Sequence, residues 1–252
     1  MSFDSIDLKG KNAIVTGASS GIGEGIAIAL SKQGCNVALL ARTKEKLDVV
    51  ADKCRANGVT AYSIPTDLAD KNSIDESINE VGKVFSTVHI FISNAGAGGE
   101  KVNSLDTKTK SGEDVVDMWE RVMNTNLVNN MRITNRVLQL MKECQHGSII
   151  AISSLAATMT GSNMSHYHAS KWGLNGFLGS VYEDVREHGI KVCSIMPGFV
   201  NTPMVQDVQN VDFDKMIQIE DIVNGVLYVA KSPYNVCPTE IKYRPQYTPY
   251  KK

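Results

Sequence analysis

Seven short apolar runs, separated by six stretches whose apolar residues recur about every 3.6 positions, fill this chain almost from end to end. NAIVTG (12–17), NVALLA (36–41), VTAYSI (59–64), VHIFIS (88–93), GSIIAIS (147–153), IKVCSIM (190–196) and PTEIKY (238–243) read as strands. Helical periodicity covers 22–33, 44–57, 70–86, 113–142, 166–188 and 219–231. Strands that are apolar throughout need cover on both faces, and their alternation with helices requires parallel pairing through crossovers. The expected fold is therefore α/β, a doubly wound parallel sheet of about seven strands with helices on both faces. No linker or repeat divides residues 1–252, which read as one domain. Two stretches break the rhythm, AGAGGEKVNSLDTKTKSG (95–112) and GFVNTPMVQDVQNVDF (198–213). Both leave the carboxyl ends of strands, where ligands bind in such sheets, and they are the expected walls of a substrate site.

Charge excludes some partners. With 26 basic and 27 acidic residues the chain offers no global field for nucleic acid or an anionic membrane. The five cysteines, Cys35, Cys54, Cys144, Cys193 and Cys237, form no C-x-x-C pair, so neither a disulfide framework nor a metal site is expected. MSFDSIDLKGK lacks the charged and apolar regions of a secretory signal, no apolar run reaches bilayer length, and YTPYKK matches no C-terminal address. A reducing, cytoplasmic location is the expectation.

The first strand runs into TGASSGIG. Gly17 suits a tight turn, Gly21 lets backbone N–H groups approach a pyrophosphate, and Gly23 allows close helix–strand packing. The spacing G-x-x-x-G-x-G differs from G-x-G-x-x-G, and an ordinary glycine-rich turn is the plainer alternative. The second strand ends at LLAR, where a site selective for NAD usually carries Asp or Glu on the ribose 2′-hydroxyl. Here stand Ala41 and Arg42. A guanidinium can pair with a 2′-phosphate and no carboxylate repels it, which favours NADP(H) over NAD(H); a solvated arginine is the other reading.

Two segments match Tyr-x-x-x-Lys. Tyr247 and Lys251 are separated by Pro249, which excludes a regular helix there. Tyr167 and Lys171, in SHYHASK (165–171), open a long helical pattern, and i,i+4 spacing places them on one face. A neighbouring ammonium, or a positively charged nicotinamide, lowers a phenol pKa from its usual value near 10. His166 and His168 point about 100° to either side of that face and read as partly exposed polar residues.

With these pieces in order the chain resembles the short-chain dehydrogenase/reductase family over essentially its whole length. The matching segments are TGASSGIG (16–23), Asp67-Leu68, SNAG (93–96), NTNL (124–127), ISS (152–154), YHASK (167–171) and PGFVNTP (197–203). The resemblance implies a single Rossmann domain and an oxidoreductase acting on CH–OH groups, similar to NADP(H)-dependent carbonyl, 3-hydroxy-acid and 3-ketoacyl reductases. It implies Tyr167 as general acid in reduction and base in oxidation. Lys171 lowers its pKa and bonds the nicotinamide ribose, Ser154 (rather than Ser153) holds the substrate carbonyl oxygen, and Asn126 holds the water of a proton relay. Toward the cofactor it implies Thr16, Gly17, Ser19, Ser20, Gly21, Ile22 and Gly23 at the glycine turn. Arg42 would stand at the 2′-position, Asp67 and Leu68 at adenine, and Asn94, Ala95 and Gly96 toward the adenosine ribose. Pro197, Gly198, Val200 and Thr202 would border the nicotinamide, beside Tyr167 and Lys171. No metal is implied.

The departures fall on specificity. SNAG replaces a double asparagine, Ser20 stands where many NADP-preferring relatives carry a second basic residue, and EIKYRP resembles the E-I-x-x-R-P ending of some carbonyl and 3-hydroxy-acid dehydrogenases. Apolar residues on 115–142 (Val115, Trp119, Val122, Met131, Leu138) and 166–188 (Trp172, Phe177, Val181, Tyr182) pack on the sheet; the resemblance adds subunit pairing, giving a homodimer or homotetramer. The alternatives are an NAD-dependent hydroxyl dehydrogenase and a non-catalytic NADP(H)-binding regulator. Against the regulator stands the intact set Asn126, Ser154, Tyr167 and Lys171.

Overall fold

A computed structural model describes residues 5–144, 146–206 and 208–251. Residues 1–4 and Lys252 of the terminal stretches read above, and Asp207 of the 198–213 segment, lie outside the described residues. The strands are β1 (Asn12–Thr16), β2 (Asn36–Ala41), β3 (Ala61–Pro65), β4 (Ile90–Ser93), β5 (Gly147–Ile152), β6 (Ile190–Pro197) and β7 (Glu240–Tyr243). They form one parallel sheet in the order β3-β2-β1-β4-β5-β6-β7. The helices are α1 (Gly21–Lys32), α2 (Lys44–Arg55), α3 (Lys71–Val84), α4 (Val115–Met123), α5 (Asn129–Met141), α6 (Ser165–Val185) and α7 (Ile219–Lys231).

Period-two alternation along the strands divides the core into two layers. On β1 and β2, Ala13, Val15, Val37 and Leu39 face α1, α2 and α7, where they meet Ile26, Leu30, Leu47, Val50, Ile222 and Val226. Ile14, Ala38 and Leu40 face the other way, toward Ile74, Ile78 and Val81 of α3, Ile133 and Val137 of α5 and Leu174 and Leu178 of α6. Both faces are thus covered, as continuously apolar strands require.

The chain leaves β1 for one side of the sheet and reaches β4 on the other, so the strand order reverses between them. The crevice at their carboxyl ends is the topological switch point of the sheet.

One expected element is divided. The 113–142 pattern reads as a single helix, but α4 and α5 are joined by a five-residue π-helical turn, Asn124–Val128. Asn130 explains it: its Nδ2 donates to the carbonyls of Thr125 (3.0 Å) and Asn126 (3.1 Å), which the widened turn frees. Ser93 Oγ donates to Asn130 Oδ1 and fixes that amide.

The 95–112 segment has no regular structure but is tied down. Asp114 caps α4, a bridge joins Lys108 to it, and Val102 N–H donates to the Asn163 carbonyl at 3.0 Å. Val102 packs with Val115, Met118 and Val122 in a small core of its own. The 198–213 segment holds a 3-10 turn, Pro203–Val205, and its end pairs with the C-terminus through Val211 and Tyr250.

Candidate active site

At the crevice between β1 and β4, Thr16 is fully buried and saturated. Its hydroxyl donates to the Ile92 carbonyl (3.3 Å) and accepts from the N–H groups of Asn94 (2.9 Å) and Ala95 (3.1 Å). Asn94 answers by donating to the carbonyls of Thr16 (3.0 Å) and Gly17 (3.4 Å). The glycine turn folds over this pair. Gly17 has φ 63°, and a Cβ on Gly23 would stand 2.2 Å from the Gly17 carbonyl oxygen, so neither position accepts a side chain without moving backbone.

Ser20 is the N-cap of α1 but makes no side-chain capping bond, so its hydroxyl leaves the first-turn N–H groups to another acceptor. Ser19, Ser20 and Ile22 lie at the surface or half-buried around the turn. Arg42 is exposed just beyond β2, and no carboxylate stands beside it in sequence. Thr202 and Pro203 close the other side, their carbons 3.6–3.8 Å from the position of a Cβ on Gly21. An anion cradle of this kind fits a dinucleotide phosphate chain.

The other expected cofactor residues sort by exposure. Asp67 is exposed, its carboxylate accepting from Ala69 N–H. Leu68 and Val200 are buried core side chains, so only their backbones can face a ligand. Pro197 ends β6, and Gly198 N–H donates to the Tyr243 carbonyl at 2.9 Å.

The residues expected to handle the proton come together where α6 begins. Ser154 caps the short 3-10 turn Leu155–Ala157, accepting from Ala156 N–H at 3.1 Å. Ser153 is buried, its Oγ without a partner. Lys171 is only 4% exposed; its Nζ donates to the Ile152 carbonyl at 3.4 Å and lies 5.8 Å from the centre of the Tyr167 ring. The strand-to-helix turn is close by, since a Cβ on Gly96 would stand 3.2 Å from Asn126 Oδ1 and 3.6 Å from Lys171 Nζ.

Burial raises the Tyr167 phenol above its usual value, and nearby Ser154 opposes that shift without overcoming it. Burial lowers the Lys171 ammonium to about 8. Asn126, in the π turn, spends its carboxamide elsewhere: Oδ1 accepts from Ala97 N–H (2.7 Å), while Nδ2 donates to the Ala97 carbonyl (2.8 Å) and Ser170 Oγ (3.1 Å). Its main-chain carbonyl accepts from Asn130 Nδ2 at 3.1 Å.

Of the two histidines, His168 keeps the reading as partly exposed and His166 departs from it. His168 is half-buried, with Nδ1 2.6 Å from the Met159 carbonyl, and so pins the segment after Ser154 to α6. His166 is buried and bonded to the Gly98 carbonyl. Its place was visible in the spacing: 166, 170, 174 and 178 share one face, which continues into the apolar stripe of α6. Asn130 carried a similar signal, since Asn126, Asn129 and Asn130 all lie on the buried side of a helical pattern. Tyr247 is 69% exposed in a non-helical segment, which leaves the second Tyr-x-x-x-Lys match outside the site. Among the described residues no group of three or more His, Cys, Asp or Glu side chains is arranged to hold a metal ion.

Comparison with known proteins places this arrangement in a family. A family model described as short chain dehydrogenase matches residues 11–212, and the chain belongs to that family of oxidoreductases, which bind nicotinamide cofactors. An uncharacterized oxidoreductase of Staphylococcus aureus (strain USA300) is 32% identical over 238 residues, 94% of this chain and 98% of the relative. A short-chain type dehydrogenase/reductase from Mycobacterium marinum superposes with a TM-score of 0.85 at 25% identity, covering 96% of this chain and 97% of that one. A metagenomic short-chain oxidoreductase in complex with NADP superposes with a TM-score of 0.80 at 30% identity, covering 96% and 100%.

Proposed function

We propose that this chain interconverts a carbonyl compound and its secondary alcohol with NADP(H), using Tyr167 as the general acid of reduction and the general base of oxidation. The observation that carries the reading is the buried ammonium of Lys171 one helical turn from Tyr167, its Nζ 5.8 Å from the centre of the phenol ring. The bound dinucleotide supplies or accepts the hydride. A phenol held above its usual pKa stays protonated across neutral pH, the state a general acid needs.

Ser154 hydrogen-bonds the carbonyl oxygen and holds it beside that proton. Lys171 bonds the nicotinamide ribose, and the Asn126 main-chain carbonyl orders a relay behind it. Thr16, Gly17, Ser19, Ser20, Gly21, Ile22 and Gly23 hold the phosphates, with Asp67, Leu68, Asn94, Ala95 and Gly96 toward the adenosine and Pro197, Gly198, Val200 and Thr202 toward the nicotinamide. The segments 95–112 and 198–213 line the substrate side.

Arg42 beside Ala41 supports NADP(H) over NAD(H). So does the NADP carried by the metagenomic relative. The cysteines are free thiols, four of them buried, which suits the reducing cytoplasm. Subunit pairing through α5 and α6, as a homodimer or homotetramer, is supported by Met131 and Trp172, 40% and 51% exposed on those helices.

Two variants test the reading. Tyr167→Phe abolishes turnover while NADPH binding, followed by titration, stays intact; substantial residual turnover would sink the assignment. Arg42→Ala weakens NADPH far more than NADH, and equal losses would make Arg42 a bystander.

A further inference from the structure

We infer that His166 is a positioning residue. From the helix turn that carries Tyr167 it tethers the 95–112 loop at Gly98, and so steadies the clamp that Ala97 places on Asn126. The inference rests on the functional reading above, in which Asn126 and Tyr167 serve one proton-handling site.

The imidazole is 4% exposed, and its Nε2 lies 3.1 Å from the Gly98 carbonyl oxygen. A carbonyl only accepts, so the ring proton is on Nε2. Nδ1 is buried without a hydrogen-bond partner, which suits the bare nitrogen of that neutral tautomer. The ring stacks on Trp119 of α4, with centroids 6.5 Å apart and planes at 16°. On its other side the loop passes close: a Cβ on Gly99, where φ is 74°, would stand 2.7 Å from His166 Nε2 and 2.8 Å from Met118 Sδ. His166 is therefore wedged between α4 and the loop, with one directed bond reaching across.

That bond lands one residue from the clamp. Ala97 holds both ends of the Asn126 carboxamide, at 2.7 and 2.8 Å, and the next backbone tie along the loop is Val102 N–H to the Asn163 carbonyl. Without the tether, residues 98–101 span from the clamp to Val102 with no hydrogen bond from α6. His166 thus links the turn bearing the phenol to the segment bearing the clamp, through adjacent residues on each side.

The test compares wild type, His166→Phe and His166→Gln. Phenylalanine keeps the stacking surface and removes the donor; glutamine restores an N–H donor of comparable reach. Amide hydrogen exchange is read at residues 97–101, kcat and KM with NADPH over a panel of carbonyl compounds, and NADPH affinity by titration. His166→Phe is expected to speed exchange and lower kcat by about tenfold each, within the loss that a small misplacement produces, with NADPH affinity unchanged. His166→Gln is expected to recover both.

Unchanged exchange in a folded His166→Phe protein would overturn the tether. Faster exchange with unchanged kcat would make the bond merely structural, and so would an equal loss in His166→Gln. Should His166→Phe fail to fold, His166→Met, which also lacks a donor, takes its place. Full turnover by Tyr167→Phe would instead defeat the reading of the phenol, and the exchange comparison would still decide whether the tether exists.

Discussion

Lys171 stands in the site almost out of water, with one long hydrogen bond to the Ile152 carbonyl. Burial therefore dominates its ionisation, because a charge leaving water loses more than one neutral acceptor returns. Its pKa falls to about 8, so the ammonium is complete below that pH and is lost above it. If this cation binds the nicotinamide ribose, kcat/KM for carbonyl reduction holds below about pH 8 and declines above it. A pH profile that stays flat to pH 10, near the usual lysine value of about 10.4, would show that the charge is not used. The pairing of Tyr167 with Lys171 was legible because i,i+4 spacing is a property of the helix alone. The direction of the phenol shift was not legible, because burial depends on tertiary packing that helix spacing does not show. The bond of His166 escaped for the same reason, its partner Gly98 being 68 residues away, although its buried face was legible in the helical spacing.

The helix after the long loop shows what periodicity captures and what it misses. Apolar spacing identified the 113–142 helical region but not the π turn at Asn124–Val128, because the turn depends on side-chain bonds from Asn130 and Ser93. Replacing Asn130 by Val keeps the helix apolar while leaving the Thr125 and Asn126 carbonyls without that donor. Each buried polar group deprived of its partner costs about 1–3 kcal/mol. Asn130→Val is expected to lose stability of that order in urea unfolding and to lower kcat further as the π turn relaxes and Asn126 turns from Ala97. Wild-type kcat in a folded Asn130→Val protein would detach the π turn from the chemistry. Among the strands, β3, β4 and β7 each begin two residues later than their apolar runs, since a run continues in sequence where the ladder of hydrogen bonds does not.

For the molecule as a whole, alternation of apolar runs and helical patterns was enough to indicate seven parallel strands covered on both faces. No helix among the described residues is long and apolar enough to cross a membrane. What the pattern left open was which apolar side chains stay outside. Val115, Val122 and Val181 turn inward, whereas Met131 and Trp172 remain outside with Val116 and Val128. Those side chains fit a subunit contact, and light scattering at micromolar concentration is expected to give at least twice the chain mass; a monomer mass would count against it. The strand order also sets a timetable for a chain born from its N-terminus. β1 meets β2 early, through Asn12 and Asn36, but its other neighbour arrives only when Ala13 can pair with Ile90. A nascent chain stalled on the ribosome before Ile90 thus carries a strand that is interior in the finished sheet with one side bare, open to a neighbouring nascent chain or a chaperone.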